Sequence, residues 1–179
     1  LDDHRALAAA LGLGRPVIPL FILDPETESL GAAAKWRFGQ AIAAFGARLA
    51  QAGSRLILRK GAAEQVLAAV LAEVGGAGVH WQRMYDPASV ARDTAVKAAL
   101  KAGGFLAESF AGALLCEPWQ VETGQGGPYR VYSPYWRAIA GRDFGAAVAA
   151  PKSLAAPDHW PESATLADWN LGAAMRRGG

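Results

Sequence analysis

VIPLFILDP, residues Val17 to Pro25, carries an apolar run of seven residues with one proline inside it, before Asp24-Pro25 stops the run. A membrane span needs about 20 such residues, so this stretch belongs inside a soluble core. It also lacks the polar alternation of a strand with one wet face. A run of this length and character reads as a strand covered on both sides, the kind found in parallel sheets.

Outward from that strand the pattern repeats. Upstream, Ala6-Leu7-Ala8-Ala9-Ala10-Leu11 predicts a helix, capped by an aspartate just before it and ended at Gly12-Leu13-Gly14. Downstream, Trp36, Phe38, Ile42, Phe45 and Leu49 recur at helical spacing between Ala32 and Ala52, with Gly53 closing the helix. Arg55 to Leu58 predicts a strand, Ala62 to Val74 a helix, and Gly78 to Trp81 another strand. A helix over Ala88 to Ala102, closed by Gly103-Gly104, leads to the last strand, Phe105 to Phe110.

Strict alternation of this kind predicts an α/β fold with a parallel sheet, because right-handed crossovers lay helices on both faces. The chain opens on a helix cap with no lead-in, so the expectation is a fragment whose first strand is missing. The complete unit, residues 1–115, would be a five-stranded parallel, doubly wound, Rossmann-like sheet. Residues 116–179 break the pattern. They hold most of the prolines and at most one short helix, near Tyr135 to Ala140, and the Met175 to Gly179 end closes no recognisable element. Yet Trp119, Trp136, Trp160 and Trp169 lie there, and disordered linkers are poor in tryptophan. The segment therefore predicts an ordered connector lying against a domain surface.

Composition excludes several classes. The 179 residues carry a net charge of +2, weak grounds for an anionic partner. The single Cys116 rules out an internal disulfide framework and suits a reducing cytoplasm. His4, His80 and His159 stand far apart, without metal-ligand spacing. No signal peptide opens the chain. Gly12-Leu13-Gly14 and Gly75-Gly76-Ala77-Gly78 lead into strands rather than opening helices, the wrong order for phosphate cradles. No nucleophile elbow occurs, and Cys116 reads as a buried thiol, so no catalytic residue and no metal site is expected.

Ligands of open parallel sheets bind beyond the carboxyl ends of the strands. The most chemically loaded exit is Gln82-Arg83-Met84-Tyr85-Asp86. Trp81 and Tyr85 offer faces to a flat aromatic ligand, and Gln82, Arg83 and Asp86 offer hydrogen bonds. The plainer reading makes Trp81 sheet core and pairs Arg83 with Asp86 on the surface. Lys35 and Trp36, followed by Arg37, begin a helix on the same side, where amide dipoles favour an anionic group; an ordinary amphipathic start is the alternative. Arg92-Asp93 reads as a solvated charged face.

The order of these features resembles the DNA photolyase/cryptochrome family. Leu1-Asp2-Asp3-His4-Arg5-Ala6-Leu7 is similar to the second half of that family's Arg-Asp-Leu-Arg-Leu-x-Asp-Asn-x-Ala-Leu motif, with His4 in place of Asn. Val17 to Pro25, Lys35 to Phe38, and Tyr85-Asp86-Pro87 through Arg92-Asp93 resemble later family segments. The most diagnostic is Gly127-Pro128-Tyr129-Arg130-Val131-Tyr132-Ser133-Pro134-Tyr135, within the aromatic stretch Thr123 to Arg137. The resemblance implies a parent flavoprotein that splits pyrimidine dimers in damaged DNA by electron transfer from reduced FAD. It implies that FAD and the DNA surface belong to a C-terminal helical domain outside this chain. The present portion would hold a light-harvesting antenna chromophore, a folate, deazaflavin or flavin, in a pocket drawn from Lys35, Trp36, Trp81, Gln82, Arg83, Tyr85 and Asp86. Family members often have Asn where Gln82 stands, and folate binders carry an acidic residue where Ala88 and Ser89 stand. The protein would be a cytoplasmic monomer. Two alternatives stay open: a cryptochrome photoreceptor without repair activity, and an unrelated nucleotide-binding α/β domain.

Overall fold

The computed structural model describes residues 1–171; residues 172–179, with the Met175 to Gly179 end, lie outside the described residues. The elements run α1 (Arg5–Gly12), β1 (Leu20–Leu23), α2 (Pro25–Ser29), α3 (Ala32–Gln51), β2 (Ile57–Lys60), α4 (Ala63–Val74), β3 (Gly78–Gln82), α5 (Pro87–Ala102) and β4 (Leu106–Phe110). A 3-10 turn (Pro118–Gln120), α6 (Tyr132–Ile139) and α7 (Leu166–Trp169) follow.

The strands pair in parallel, as the apolar runs require. β1 lies beside β2, with Leu20 opposite Ile57 and Leu23 opposite Lys60; β3 lies beside β4, with Gly78 opposite Leu106 and Gln82 opposite Phe110. The four strands expected within this chain are present, and among the described residues no ladder joins the two pairs. β1 is also shorter than the apolar run. Pro19 has no N–H for a ladder, although its carbonyl still accepts from the Ile57 amide at 2.8 Å.

Successive strand residues face opposite sides, and the packing follows that alternation. Leu20 and Ile22 of β1 and Val79 and Trp81 of β3 pack with Leu67 and Leu71 of α4 and Val96 and Leu100 of α5. Phe21, pointing the other way, meets Phe38 of α3 with ring centroids 6.1 Å apart. A second cluster joins Leu49 and Ala52 of α3 to Leu7 and Leu11 of α1 and to Leu154, well downstream. Both pairs of strands therefore share one core on the α4–α5 side.

Local chemistry corrects two expected boundaries. The cap of α1 is not an aspartate: His4 Nδ1 accepts the Leu7 amide at 3.1 Å. Asp24-Pro25 does not merely end β1 but opens α2, because Asp24 caps it and proline suits a first helical turn.

The segment after β4 wraps the unit. The Leu58 amide of β2 donates to Ser163 Oγ at 2.9 Å, and the Ala164 amide donates to the Leu58 carbonyl at 2.9 Å. An otherwise open strand edge is thereby closed. Arg55 lies 4.8 Å from the ring centre of Trp160, and the Leu154 amide donates to the Ala52 carbonyl. Regular structure here exceeds the single helix expected: α6 starts three residues earlier than read, and α7 is nucleated by a Thr165–Asp168 capping box.

Candidate functional site

The carboxyl end of β3 gathers most of the residues singled out in the sequence. Trp81 is partly buried against the α4–α5 core, and its indole N–H donates to Asp93 Oδ2 at 3.1 Å. Both the core reading of Trp81 and a polar tether hold together. Gln82, the last residue of β3, lies over the backbone of Gly112 so closely that a Cβ there would fall 2.1 Å from its Nε2. A larger residue at position 112 would have to displace that flexible amide.

Arg83 does not pair with Asp86. Its Nη2 and Nε donate to Glu117 Oε1 at 2.8 and 3.3 Å, and its Nη1 donates to the Ser109 carbonyl. Tyr85 donates its hydroxyl to the same Glu117 oxygen at 2.8 Å. Glu117 is buried at 4% exposure, and its Oε2 has no partner among the described residues. Trp119, 61% exposed, covers this group: the Arg83 guanidinium lies 5.7 Å from its ring centre and the Tyr85 ring 6.4 Å away. The Glu117 hydrogen bond raises the Arg83 pKa above its ordinary value. Burial, then the Glu117 carboxylate, pushes the Tyr85 phenol up. The result is an aromatic shelf over a charged, hydrogen-bonded floor.

Asp86 is occupied locally. It caps α5, accepting the Ser89 amide at 2.9 Å, and that bond holds its carboxyl below the usual range. Arg92 and Asp93 are not a solvated face. Arg92 Nη1 donates to Asp24 Oδ2 at 2.8 Å and Nη2 to Asp93 Oδ1 at 2.8 Å. Burial works to raise the Asp24 pKa, but the Thr27 hydrogen bonds and Arg92 outweigh it and hold the carboxyl low. An unbroken chain of polar contacts thus runs from the exit of β1 through α5 to the Trp81 indole.

Lys35 and Trp36 stand apart. Lys35 Nζ donates to the Glu28 carbonyl at 3.2 Å, and Trp36 is 45% exposed. Among the described residues, no hydrogen bond, ion pair or ring contact joins either to Trp81–Asp86. Sequence reading missed Glu117, Trp119 and Asp24. The Glu117-Pro118-Trp119-Gln120 spacing was the available signal, since the Gln120 side chain returns to the Glu117 amide at 3.0 Å. Among the described residues no group of three or more His, Cys, Asp or Glu could hold a metal ion.

The chain is thus a parallel α/β unit with polar and aromatic groups gathered at the carboxyl end of β3. The sequence model of the DNA photolyase family matches residues 1–153. The chain is 45% identical over 172 residues to the deoxyribodipyrimidine photo-lyase of Agrobacterium fabrum, covering 96% of this chain and 36% of that protein. It is 35% identical over 143 residues to cryptochrome-2 of Arabidopsis thaliana, covering 76% of this chain and 23% of the relative. A bacterial class III photolyase from Agrobacterium tumefaciens superimposes with a TM-score of 0.89 at 43% identity, over 96% of this chain and 36% of the other.

The chain belongs to the DNA photolyase/cryptochrome family. It spans about a third of the length of the photolyases it matches. Membership removes the unrelated nucleotide-binding domain from consideration.

Proposed function

We propose that this chain is the antenna-holding portion of a light-driven DNA repair flavoprotein, a deoxyribodipyrimidine photo-lyase. The observation that carries the reading is the 45% identity to the Agrobacterium enzyme across 96% of this chain. In the complete protein, reduced FAD supplies the electron that splits the carbon–carbon bonds of a pyrimidine dimer. Family membership is the ground for assigning FAD and the damaged DNA to the remaining two thirds of a photolyase-length protein. The present chain alone is then catalytically inert. A strand between β1 and β3, ahead of Leu1, would complete a five-stranded, doubly wound sheet.

The shelf at the exit of β3 fits a flat chromophore. Trp119 and Tyr85 offer aromatic surface, Trp81 is tethered through its indole N–H to Asp93, and Arg83 and Glu117 provide charge beneath. The Gln82 side chain lies beside Gly112 at the margin, and Asp86 caps the start of α5. Lys35 and Trp36, at the exit of β1, would meet the ligand only from the opposite rim. A folate, a deazaflavin and a flavin are all flat enough for this shelf. The setting is a cytoplasmic monomer.

The test uses a chimera in which this chain replaces the matching third of the Agrobacterium relative. Replacing Trp81 and Arg83 together should abolish absorption from a second chromophore while FAD remains bound. Antenna absorption that survives the change removes the pocket assignment. The likeness to Arabidopsis cryptochrome-2 supports a second reading, a photoreceptor that repairs nothing. Illumination of the chimera with dimer-containing DNA separates the two, because a cryptochrome leaves the dimers intact.

A further inference from the structure

Arg92 and Asp93 are adjacent on α5, and adjacent helical side chains do not normally face each other. Here they meet: Arg92 Nε and Nη2 donate to Asp93 Oδ1 at 3.0 and 2.8 Å. Each is also drawn by a bond elsewhere. Arg92 Nη1 reaches Asp24 Oδ2 at the exit of β1, and Asp24 is itself fixed, its Oδ1 accepting the Thr27 amide at 2.8 Å. Asp93 turns its other oxygen, Oδ2, to the Trp81 indole N–H at 3.1 Å. The carboxylate is divided, one oxygen to each partner.

The two partners do not depend on Asp93 equally. Arg92 without it would keep Asp24 and also Glu26, whose Oε2 lies 3.7 Å from Nη1. Among the described residues the Trp81 indole donates to Asp93 alone. A partly buried indole needs an acceptor, and without one the ring turns to find another. Loss of Asp93 is therefore felt at Trp81 rather than at the ion pair. The same bonds join the two strand pairs, which no ladder connects among the described residues. They refer the ring at β3 to the backbone at the exit of β1. We propose that Asp93 is a positioning residue for the strand-exit site: acting through Trp81, it holds that ring in the orientation that receives the flat chromophore. The proposal rests on the functional reading above, which places a chromophore there.

The first measurement needs no ligand. Labelled with fluorotryptophan, the chain gives a fluorine resonance for each of its six tryptophans, and Trp81→Phe assigns the line of Trp81. Asp93→Ala should shift and broaden that line and leave the others in place. Should Asp93→Ala fail to fold, Asp93→Leu fills the space without an acceptor and gives the same comparison. The second measurement titrates the chimera described above with a folate and with flavin mononucleotide, separately. Asp93→Ala should weaken the probe that binds about tenfold, the worth of one displaced contact. Added to Trp81→Phe, the same change should cost nothing more, because Asp93 acts only through the indole. A Trp81 line that does not move would overturn the proposal. So would unchanged affinity, or an equal loss with and without the Trp81 indole, which would make Asp93 a general support of the fold. Failure of the functional reading looks different. A chimera that takes neither probe with both residues intact removes the ligand, while a fluorine line that still moves keeps Asp93 as the group that orients Trp81.

Discussion

Glu117 concentrates the tension between burial and polarity in this molecule. One of its oxygens accepts from Arg83 twice and from Tyr85, while the other is buried without a partner among the described residues. A carboxylate removed from water is tolerated only when its charge is compensated, and Arg83 supplies that compensation. Glu117→Ala would leave a guanidinium and a phenol without their acceptor. We expect a loss of about 2 kcal/mol in urea unfolding, the cost of stranding partly buried donors. The same change should lower the Tyr85 ionisation midpoint, read from tyrosinate absorbance, since the carboxylate is one of the causes that raise it. Sequence alone pointed Arg83 at Asp86, three residues away. The true partner lies 34 residues on, and Asp86 is already spent on the Ser89 amide. Bonds that close within a turn are legible in a sequence; bonds between segments are not.

Elements were legible where apolar periodicity ran for several turns. α3, α4 and α5 fall within a residue or so of their predicted spans, since each buries one continuous stripe. The errors cluster at ends, where a single side chain competes for free amides. At α1 the winner is His4, whose neutral Nδ1 takes the Leu7 amide. Burial lowers the His4 pKa, so the folded state binds its proton less readily than the unfolded chain. The stabilisation is therefore complete above the unfolded value, about 6.5, and is lost as pH falls below it. Replacing the ring with a non-titrating cap, His4→Asn, should remove that pH dependence while keeping the cap. Thermal melts of both proteins from pH 8 to pH 5 test this. Parallel curves would show that the cap carries no linkage.

The whole molecule is held by a segment that looks like leftover chain. Leu154 completes the α1–α3 core, Ser163 and Ala164 close the edge of β2, and Trp169 meets Phe21 with centroids 6.0 Å apart. Deleting residues 116–179 would expose the apolar side of α3 and the outer edge of β2 together. The truncated chain should aggregate or lose its cooperative melt, whereas Ser163→Ala alone should cost about 1 kcal/mol. Circular dichroism with light scattering distinguishes these outcomes, and a truncated chain that melts cooperatively would refute this role for the segment. By itself, the sequence determined the parallel α/β class, the order of strands and helices, and the family, because apolar period and short motifs are local properties of the chain. Tertiary structure alone decided the split into two strand pairs, the Arg83–Glu117–Tyr85 cluster, and the Asp24–Arg92–Asp93–Trp81 chain of contacts. It also decided which face of the aromatic stretch Thr123 to Arg137 is covered. Each of these depends on charges and rings brought together from distant positions, and no periodicity records which distant segments will meet.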